Sequence, residues 1–341
     1  MQRTEISTYG EFGLIKHLTE KFNIVNSSTL KGVGDDAAVL NYENKKVLVT
    51  TDLLLEGIHF DLVYVPLMHL GYKAAVVNFS DIYAMNGQPK QITVSIGVSK
   101  RFSVEDLDLF YAGIEMACKK YGVDLIGGDT SASLTGLAIS ITCIGEADEA
   151  KIVYRNGAKE NDLICVTGDL GSAYMGLQLL EREKIVFAGN EEAQPDFEDK
   201  DYILQRQLKP EARKDIIKLL DEKGIVPTAM MDISDGLSSE LMHICSQSNV
   251  GCRVYEDKIP IHYQAVVMAE ELNMNIVTAA LNGGEDYELL FTASMEDYDK
   301  ILTMEGVAIV GHMTKSAHGL LLVGREGDEI ELQAQGWNSL G

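Results

Sequence analysis

The chain has 341 residues, of which 46% are hydrophobic and 24% charged, and its formal net charge is −23. This length is enough for two domains of ordinary size. The acidic balance argues against general nucleic-acid binding, which requires a basic face, and no apolar run approaches the ~20 residues of a membrane span. We therefore expect neither a nucleic-acid partner nor a membrane partner.

The N-terminal residues 1–6 lack the basic and then apolar pattern of a signal peptide. The five cysteines form no CxxC pair. Thiols in this arrangement are expected to be reduced and mostly buried, which predicts a cytoplasmic location.

The first predicted element is a short helix over residues 8–22, where apolar residues recur at helical spacing. It is followed by the segment Gly32-Val33-Gly34-Asp35-Asp36-Ala37-Ala38. Residues 39–49 then have the pattern of a strand, a turn and a second strand, which predicts a hairpin. A hairpin brings its ends together, so we expect Asp35 and Asp36 to lie near Thr50-Thr51-Asp52.

Carboxylates held this close repel each other unless a positive charge lies between them. A divalent hard cation with oxygen ligands is the natural candidate. A solvated acidic turn is the alternative for this pair of aspartates taken alone.

The rest of the first half alternates helices and strands. In a helix predicted over 66–85, Asn78 and Asp81 project from the same side. Ser103 is a suitable N-cap for a helix that runs to Tyr121. The other predicted elements are strands at 91–98, at 123–130, which contains Gly127-Gly128-Asp129-Thr130, and at 137–145.

A polar stretch from Ala147 to Asp162 marks the predicted domain boundary, which gives domains 1–148 and 149–341. The second domain is expected to contain a strand at 163–167, a helix from Ser172 and a helix from Pro210 to Gly224. Two acidic turns follow at strand ends: Met231-Asp232-Ile233-Ser234-Asp235-Gly236 and Gly283-Gly284-Glu285-Asp286-Tyr287-Glu288.

The first glycine-rich segment fits G-x-G-x-x-A, the dinucleotide-binding pattern. Its context argues against that interpretation, because no apolar strand precedes it and no helix follows it. A P-loop is excluded as well, since the chain contains no Gly-Lys dipeptide.

What remains is a set of aspartates in turns spread along the chain, at positions 35, 36, 52, 81, 129, 169, 232 and 235. Each could be a cap or turn residue. Several adjoin glycine, which allows close backbone approach to an anion. Because Mg²⁺ takes only one or two carboxylates per ion beside substrate phosphates, this many aspartates would imply more than one ion.

Six motifs, in order, together resemble the thiamine-monophosphate kinase family. They are Gly-x-Gly-Asp-Asp-Ala-Ala, Thr-Thr-Asp with Glu-Gly-x-His-Phe, Asn-x-Ser-Asp-x-x-Ala-Met, Gly-Gly-Asp-Thr, Met-Asp-Ile-Ser-Asp-Gly-Leu and Gly-Gly-Glu-Asp-Tyr-Glu-Leu. One departure is Asn86-Gly87 after Met85, where the family more usually has glycine directly after the methionine.

The resemblance implies the two-domain α/β (α+β) fold of the aminoimidazole-ribonucleotide-synthetase superfamily. The N-terminal domain would have a mixed sheet with helices, bind metal and ATP, and form a homodimer. The C-terminal α/β domain would complete the active-site cleft. The implied reaction is ATP-dependent phosphorylation of thiamine monophosphate to thiamine diphosphate, assisted by several Mg²⁺ ions.

The resemblance also assigns roles to individual residues. Metal ligation falls to Asp36, Thr50, Thr51, Asp52, Asp81, Asp129, Asp232 and Asp235. Asp52, Asp129 and Asp235 would be the catalytic residues among these. ATP contacts fall to Gly128, Asp129, Arg155 and Ser234, and thiamine monophosphate contacts to His59, Glu285 and Trp337.

Bland alternatives remain for three of these residues. Arg155 could be an exposed linker residue, His59 a turn or core histidine, and Trp337 a packing residue. Asp35 is left with a role in the turn or in orienting a water. At the level of function, the alternatives are another ATP-dependent superfamily member that activates a carbonyl for ring closure, or a non-catalytic acidic Mg²⁺- or nucleotide-binding protein.

Overall fold

The computed structural model describes residues 4, 10–31, 39–189 and 195–334. The chain forms two compact units, Met1–Lys151 and Ile152–Gly341. No helix in the described ranges is long and apolar enough to cross a membrane. Asp35, Asp36 and Trp337 lie outside the described residues.

Unit 1 is built on a four-stranded mixed sheet with two long helices on one face. Its helices are α1 (Gly10–Thr19), α2 (Leu67–Ala84) and α3 (Val104–Tyr121). Its strands are β1 (Thr29–Lys31), β2 (Val39–Leu40), β3 (Lys46–Leu55), β4 (Gln88–Val98), β5 (Asp124–Ala132) and β6 (Leu137–Ala147). The sheet order is β3-β6-β4-β5, and only the β4–β5 pair is parallel.

The hairpin predicted for residues 39–49 is wrong. β2 pairs with β1, where Thr29 lies opposite Leu40, whereas β3 pairs along its whole length with β6. β3 has ten residues, and the long strand β6 offers a complete antiparallel partner whose inward residues are buried. This long-range pairing replaces the short local one.

The helix α3 begins as the sequence predicts. Ser103 accepts a hydrogen bond from the Asp106 N–H, and the Asp106 carboxylate accepts one from the Ser103 N–H, which forms a capping box. Gly122 ends the helix in a left-handed conformation with φ 74°. The helix predicted from Pro210 begins later, at Lys214.

Unit 2 is built on a seven-stranded mixed sheet flanked by helices. Its strands are β7 (Leu163–Thr167), β8 (Ala229–Ile233), β9 (Val250–Tyr255), β10 (Glu288–Ala293), β11 (Val307–Lys315), β12 (Leu320–Val323) and β13 (Glu329–Glu331). Its helices are α4 (Ser172–Gly189), α5 (Asp201–Leu208), α6 (Lys214–Lys223), α7 (Leu237–Ser248), α8 (Tyr263–Glu271), α9 (Ile276–Asn282) and α10 (Tyr298–Ile301). The sheet order is β13-β12-β9-β11-β7-β10-β8.

One hydrophobic core of unit 2 lies between this sheet and α7, and a second lies among α4, α5, α8 and α9. Leu237, Leu241 and Ile244 recur at helical spacing and pack with Ile233 and Leu290 of the central strands. β7, β8 and β10 are buried along their whole length. The turns that follow these strands are therefore held on a rigid frame.

Two glycines let α2 and α3 cross at very close range. A Cβ on Gly113 would lie 1.9 Å from the Met68 carbonyl oxygen, and a Cβ on Gly71 would lie 1.9 Å from that of Phe110. Both clashes are with backbone, which cannot rotate away. The glycines therefore allow α2 to pack directly against α3.

We expect Gly113→Ala to destabilise the protein by about 2–3 kcal/mol, because overpacking forces the two helices apart. Equilibrium urea unfolding measures the change. Gly97→Ala is the matched control, because its new Cβ would lie 3.6 Å from Ala138, an ordinary contact. That control should change the free energy of unfolding by less than about 0.5 kcal/mol. Equal effects of the two substitutions would contradict the close-crossing explanation.

Candidate active site

In unit 1, three of the predicted metal ligands lie together between the sheet edge and α2. Thr50 and Asp52 lie between Leu48 and Leu54 on the helix-facing side of β3. The Thr50 hydroxyl donates a 2.5 Å hydrogen bond to Asp81 of α2. These polar residues interrupt an apolar face and are partly buried, where a polar group is favoured by a hydrogen-bond partner.

Asp81 and Asp52 both lie near the Cys143 thiol. Burial raises the pKa of this thiol well above its usual range, and the negative charges of the two aspartates add to the rise. Cys143 lies directly opposite Thr50 in the β3–β6 ladder. The thiol is therefore neutral and lies close to the two carboxylates.

Thr51 and Asp129 are placed differently from these three residues. Thr51 is on the opposite face of β3, where its hydroxyl donates to the Ile141 carbonyl and accepts from Thr142, both at 3.1 Å. Asp129 is on β5, in register with Ser95 of β4. Strand spacing puts β5 about 14 Å from β3, so Asp129 does not join the group around Asp81 within this unit.

Gly128 has a clear packing requirement. A Cβ at this position would lie 1.9 Å from the carbonyl oxygen of Val94 on the neighbouring strand. Only glycine therefore allows β5 to approach β4 here. This requirement is independent of any contact with a nucleotide.

His59 lies in the turn that follows β3. Its Nδ1 accepts a 3.1 Å hydrogen bond from the Leu55 N–H, which places the ring proton on Nε2 when the ring is neutral. The neighbouring Glu56 accepts from the Leu137 N–H at 2.8 Å and binds Arg101. The Glu-Gly-x-His-Phe motif therefore fixes the turn and the tautomer of its histidine.

In unit 2, the predicted residues meet at one turn. Ser234 and Asp235 lie between β8 and α7, and Glu285 lies in the loop before β10. The Glu285 N–H donates a 2.7 Å hydrogen bond to the Ser234 carbonyl. Asp232 is buried at the end of β8, 4% exposed, opposite Leu289.

The electrostatics of Asp235 connect it to the other predicted residues. Its pKa is raised, first by desolvation and then by the negative charge of Glu285, while the positive charges of His243 and Arg155 oppose the rise. Arg155, which is exposed, is the weakest of these influences on the Asp235 carboxylate. The turn brings Asp235 and Glu285 close together, with Arg155 acting on Asp235 only through its charge.

Glu240 belongs to the same group, although its role was not predicted. It is 1% exposed, and its Oε1 accepts a 2.9 Å hydrogen bond from the Asp235 N–H. Burial, together with the charges of Asp235 and Asp232, raises its pKa to about 8. The signal is in the sequence: Glu240 falls at the helical spacing of the buried Leu237, Leu241 and Ile244.

The two acids beside Glu285 have structural partners. Asp286 accepts hydrogen bonds from the N–H groups of Gly171, at 2.8 Å, and Ala173 at the start of α4. Glu288 binds Arg213 and forms a 2.8 Å ion pair with Arg206. Within Gly-Gly-Glu-Asp-Tyr-Glu-Leu, therefore, Glu285 is the acid whose charge raises the pKa of Asp235.

The acidic side chains of the two units can be compared with the ligands that a bound cation requires. No group of three or more His, Cys, Asp or Glu side chains in the described part of the chain forms a ready-made metal cage. The pairs Asp52–Asp81 and Asp232–Asp235 suit an ion that takes one or two carboxylates and keeps waters or phosphates, as Mg²⁺ does.

The chain matches two family domains along most of its length. They are the AIR synthase related protein N-terminal domain, over residues 34–147, and the C-terminal domain, over residues 159–321. These domains confirm the predicted fold class, two α/β domains with mixed sheets.

Individual relatives show to which family of AIR synthase related proteins the chain belongs. A thiamine-monophosphate kinase of Aquifex aeolicus is 35% identical over 328 residues, 96% of this chain and 97% of the relative. One of Bacillus subtilis is 34% identical over 335 residues, 96% of this chain and 98% of the relative. The chain therefore belongs to the thiamine-monophosphate kinase family, as the motifs predicted.

Solved structures agree with this assignment. AaThiL complexed with AMPPCP and TMP has a TM-score of 0.73 and 32% identity, covering 99% of each chain. Hydrogenase maturation protein HypE in complex with ATP has the same TM-score of 0.73 but 18% identity, with coverage of 94% and 92%. The second likeness concerns the fold alone.

We expect Glu240→Gln to alter how stability depends on pH when divalent cations are removed with a chelator. A carboxyl whose pKa is raised from 4.5 to about 8 stabilises the fold while protonated and loses that contribution as pH rises through this range. Between pH 5 and 8.5 the parent should lose about 4 kcal/mol relative to the variant.

Urea unfolding at a series of pH values measures this difference. Glu270→Gln, at an exposed position of α8, is the matched control and should follow the parent. Parallel curves for the parent and Glu240→Gln would show that Glu240 is ionised in the folded state throughout this range.

Proposed function

We propose that this protein phosphorylates thiamine monophosphate at the expense of ATP and forms thiamine diphosphate and ADP. Family membership supports the activity, and the similar AaThiL structure is a complex with AMPPCP and TMP. The observation that carries the proposal for this chain is the contact of the Glu285 loop with the turn that contains Ser234 and Asp235.

The proposed chemistry explains what kind of residues the site contains. The acceptor is a phosphate oxygen that is already ionised at neutral pH, so it needs no general base. Catalysis of phosphoryl transfer then consists of positioning and charge stabilisation. We assign direct in-line transfer, with Asp52, Asp129 and Asp235 as the catalytic residues.

Binding roles follow the same proposal. Gly128, Asp129, Arg155 and Ser234 are assigned to ATP, where the planar Arg155 guanidinium can bind phosphate oxygens in pairs. His59, Glu285 and Trp337 are assigned to thiamine monophosphate, whose thiazolium ring is cationic. A carboxylate and an aromatic ring both favour a cation.

Several Mg²⁺ ions are part of the proposal. Their ligands would be Asp36, Thr50, Thr51, Asp52, Asp81, Asp129, Asp232 and Asp235. When bound, the ions would neutralise phosphate charge and reduce the repulsion between two anionic substrates. The Thr50–Asp81 hydrogen bond orients one carboxylate for this task, and the Glu240 contact fixes the backbone of Asp235.

The two units receive different tasks in this proposal. Residues 1–148 would supply most metal ligands, bind ATP and form a homodimer, and residues 149–341 would complete the active-site cleft. ATP as the donor and reduced thiols fit a cytoplasmic enzyme.

Incubation with Mg-ATP and thiamine monophosphate, followed by chromatography, tests the activity. The parent should form thiamine diphosphate, and Asp52→Asn should lose at least about 10²-fold in turnover while remaining folded, because a charge at the phosphates is lost. Asp148→Asn, at an exposed ion pair with Lys45 in the same unit, is the matched control and should retain turnover.

Each outcome of this assay has a distinct meaning. ATP binding without any product would favour a non-catalytic nucleotide-binding protein. ATP hydrolysis that depends on a carbonyl substrate would favour a synthetase-like enzyme. An Asp52→Asn variant within a few-fold of the parent would contradict the assignment of Asp52.

A homodimer is supported by the outer face of the unit 1 sheet. Val47, Val49 and Leu53 of β3 are 47%, 66% and 55% exposed on the face away from α2. Apolar side chains in such a row favour an interface.

We expect the parent to elute as a dimer of 37.4 kDa chains and Val49→Asp to shift towards the monomer, because a charge would be buried at the interface. Size-exclusion chromatography with light scattering measures the mass. Val186→Asp replaces a comparably exposed valine of α4, 48% exposed, and should leave the dimer intact. A Val49→Asp protein that remains dimeric would place the interface elsewhere.

A further inference from the structure

The loop that carries Glu285 has an unusual backbone. Gly284, Glu285 and Tyr287 have φ values of 70°, 63° and 52°, in the left-handed region. Two of these residues are not glycine, and such residues adopt this conformation only where the surroundings impose it. The backbone of this loop is therefore held in place by specific contacts.

Backbone hydrogen bonds attach the loop to the neighbouring turn. The Glu285 N–H donates to Ser234 at 2.7 Å, and the Tyr287 N–H donates to Ile233 at 2.9 Å. A Cβ on Gly284 would lie 2.5 Å from the Ser234 oxygen. The loop therefore lies directly against the turn that contains Asp235.

The residue between Glu285 and Tyr287 is held by a different element. Asp286 is 1% exposed and binds the Gly171 N–H at 2.8 Å. Its other oxygen lies 3.8 Å from Arg206. Asp286 is therefore anchored at the start of α4, while its two neighbours, Glu285 and Tyr287, interact with each other.

That interaction is a hydrogen bond between side chains. The Tyr287 hydroxyl donates to Glu285 Oε1 at 3.1 Å. Tyr287 is itself 8% exposed, so its ring is fixed by packing. A hydrogen bond from a fixed donor restricts a carboxylate more than a bond from a mobile surface side chain would.

We infer that Tyr287 is a positioning residue, which holds the Glu285 carboxylate in the orientation that contacts the cationic heteroaromatic part of the substrate. This inference rests on the proposed function, in which Glu285 binds thiamine monophosphate. Tyr287 acts through Glu285, to which its hydroxyl donates. It therefore affects binding of the acceptor, and ATP much less.

Tyr287→Phe tests this role, because it keeps the ring and removes only the hydroxyl. We expect the KM for thiamine monophosphate to rise about tenfold, as loss of a hydrogen bond to a charged group implies. The KM for ATP should stay within about twofold of the parent value, a change far below that expected for such a bond. Tyr255→Phe, which removes a phenol hydroxyl elsewhere in unit 2 at a 3.4 Å contact with His312, is the matched control.

A double-mutant cycle separates positioning from packing. If Tyr287 acts through Glu285, Tyr287→Phe should add little in a Glu285→Gln background. Binding of thiamine monophosphate, measured by calorimetry without ATP, should follow the KM in all variants. Circular dichroism should show the same thermal transition for the parent and Tyr287→Phe.

The possible results separate the inference from the proposed function. A parent that neither binds nor phosphorylates thiamine monophosphate overturns the proposed function. If the parent does both, three results would overturn only the role of Tyr287. They are a Tyr287→Phe variant with an unchanged KM for thiamine monophosphate, one with equal increases in both KM values, and one whose effect is fully additive with that of Glu285→Gln.

Discussion

The close contact between two loops of unit 2 is the constraint on which the candidate site depends. The loop before β10 lies against the turn between β8 and α7, and glycines make this possible on both sides. A Cβ on Gly236 would lie 2.7 Å from the Leu281 carbonyl oxygen, and a Cβ on Gly284 would lie 2.5 Å from the Ser234 carbonyl oxygen. Any larger residue would separate Glu285 from Asp235. The proposed ATP- and substrate-binding groups would then no longer be adjacent.

The buried charges around this contact serve to fix conformation. Arg206 and Arg213 surround Glu288, whose carboxylate also accepts from Thr167. Removing such charges from water costs several kcal/mol per ion, so a buried network of this kind is weak evidence of net stability. Its geometric effect is specific: it ties the first residue of β10 to β7, α5 and the segment before α6. The loop that precedes β10 therefore starts from a fixed point.

The acidic groups of the two units are accommodated in different ways. In unit 1, Asp81 accepts from Thr50, so a neutral hydroxyl satisfies part of its hydrogen-bonding capacity. In unit 2, Asp235 and Glu240 are close together and partly desolvated, and both pKa values are raised. A bound cation would reverse that rise, because it favours the ionised forms. The second group is therefore the more sensitive to whether a cation is present.

The sequence by itself determined the class of fold, the family and most individual elements. The capping box of Ser103 and the strand Leu163–Thr167 depend on local hydrogen bonding and apolar runs, which neighbouring residues specify. The candidate residues came from motifs, whose order along the chain is a property of sequence alone. His59, Asp129 and Trp337 keep their predicted roles as proposals.

Only the tertiary structure decided which strands pair and which side chains meet. The pairing of β3 with β6 joins segments about ninety residues apart, and burial of a whole sheet face favours it over the short hairpin expected locally. The same pairing separates Thr50 from Thr51, because adjacent residues of a strand point to opposite faces. The contacts of Glu240 and Tyr287 with predicted site residues likewise depend on how helices and loops pack. Local sequence patterns do not specify such distances, since they arise from the simultaneous packing of distant segments.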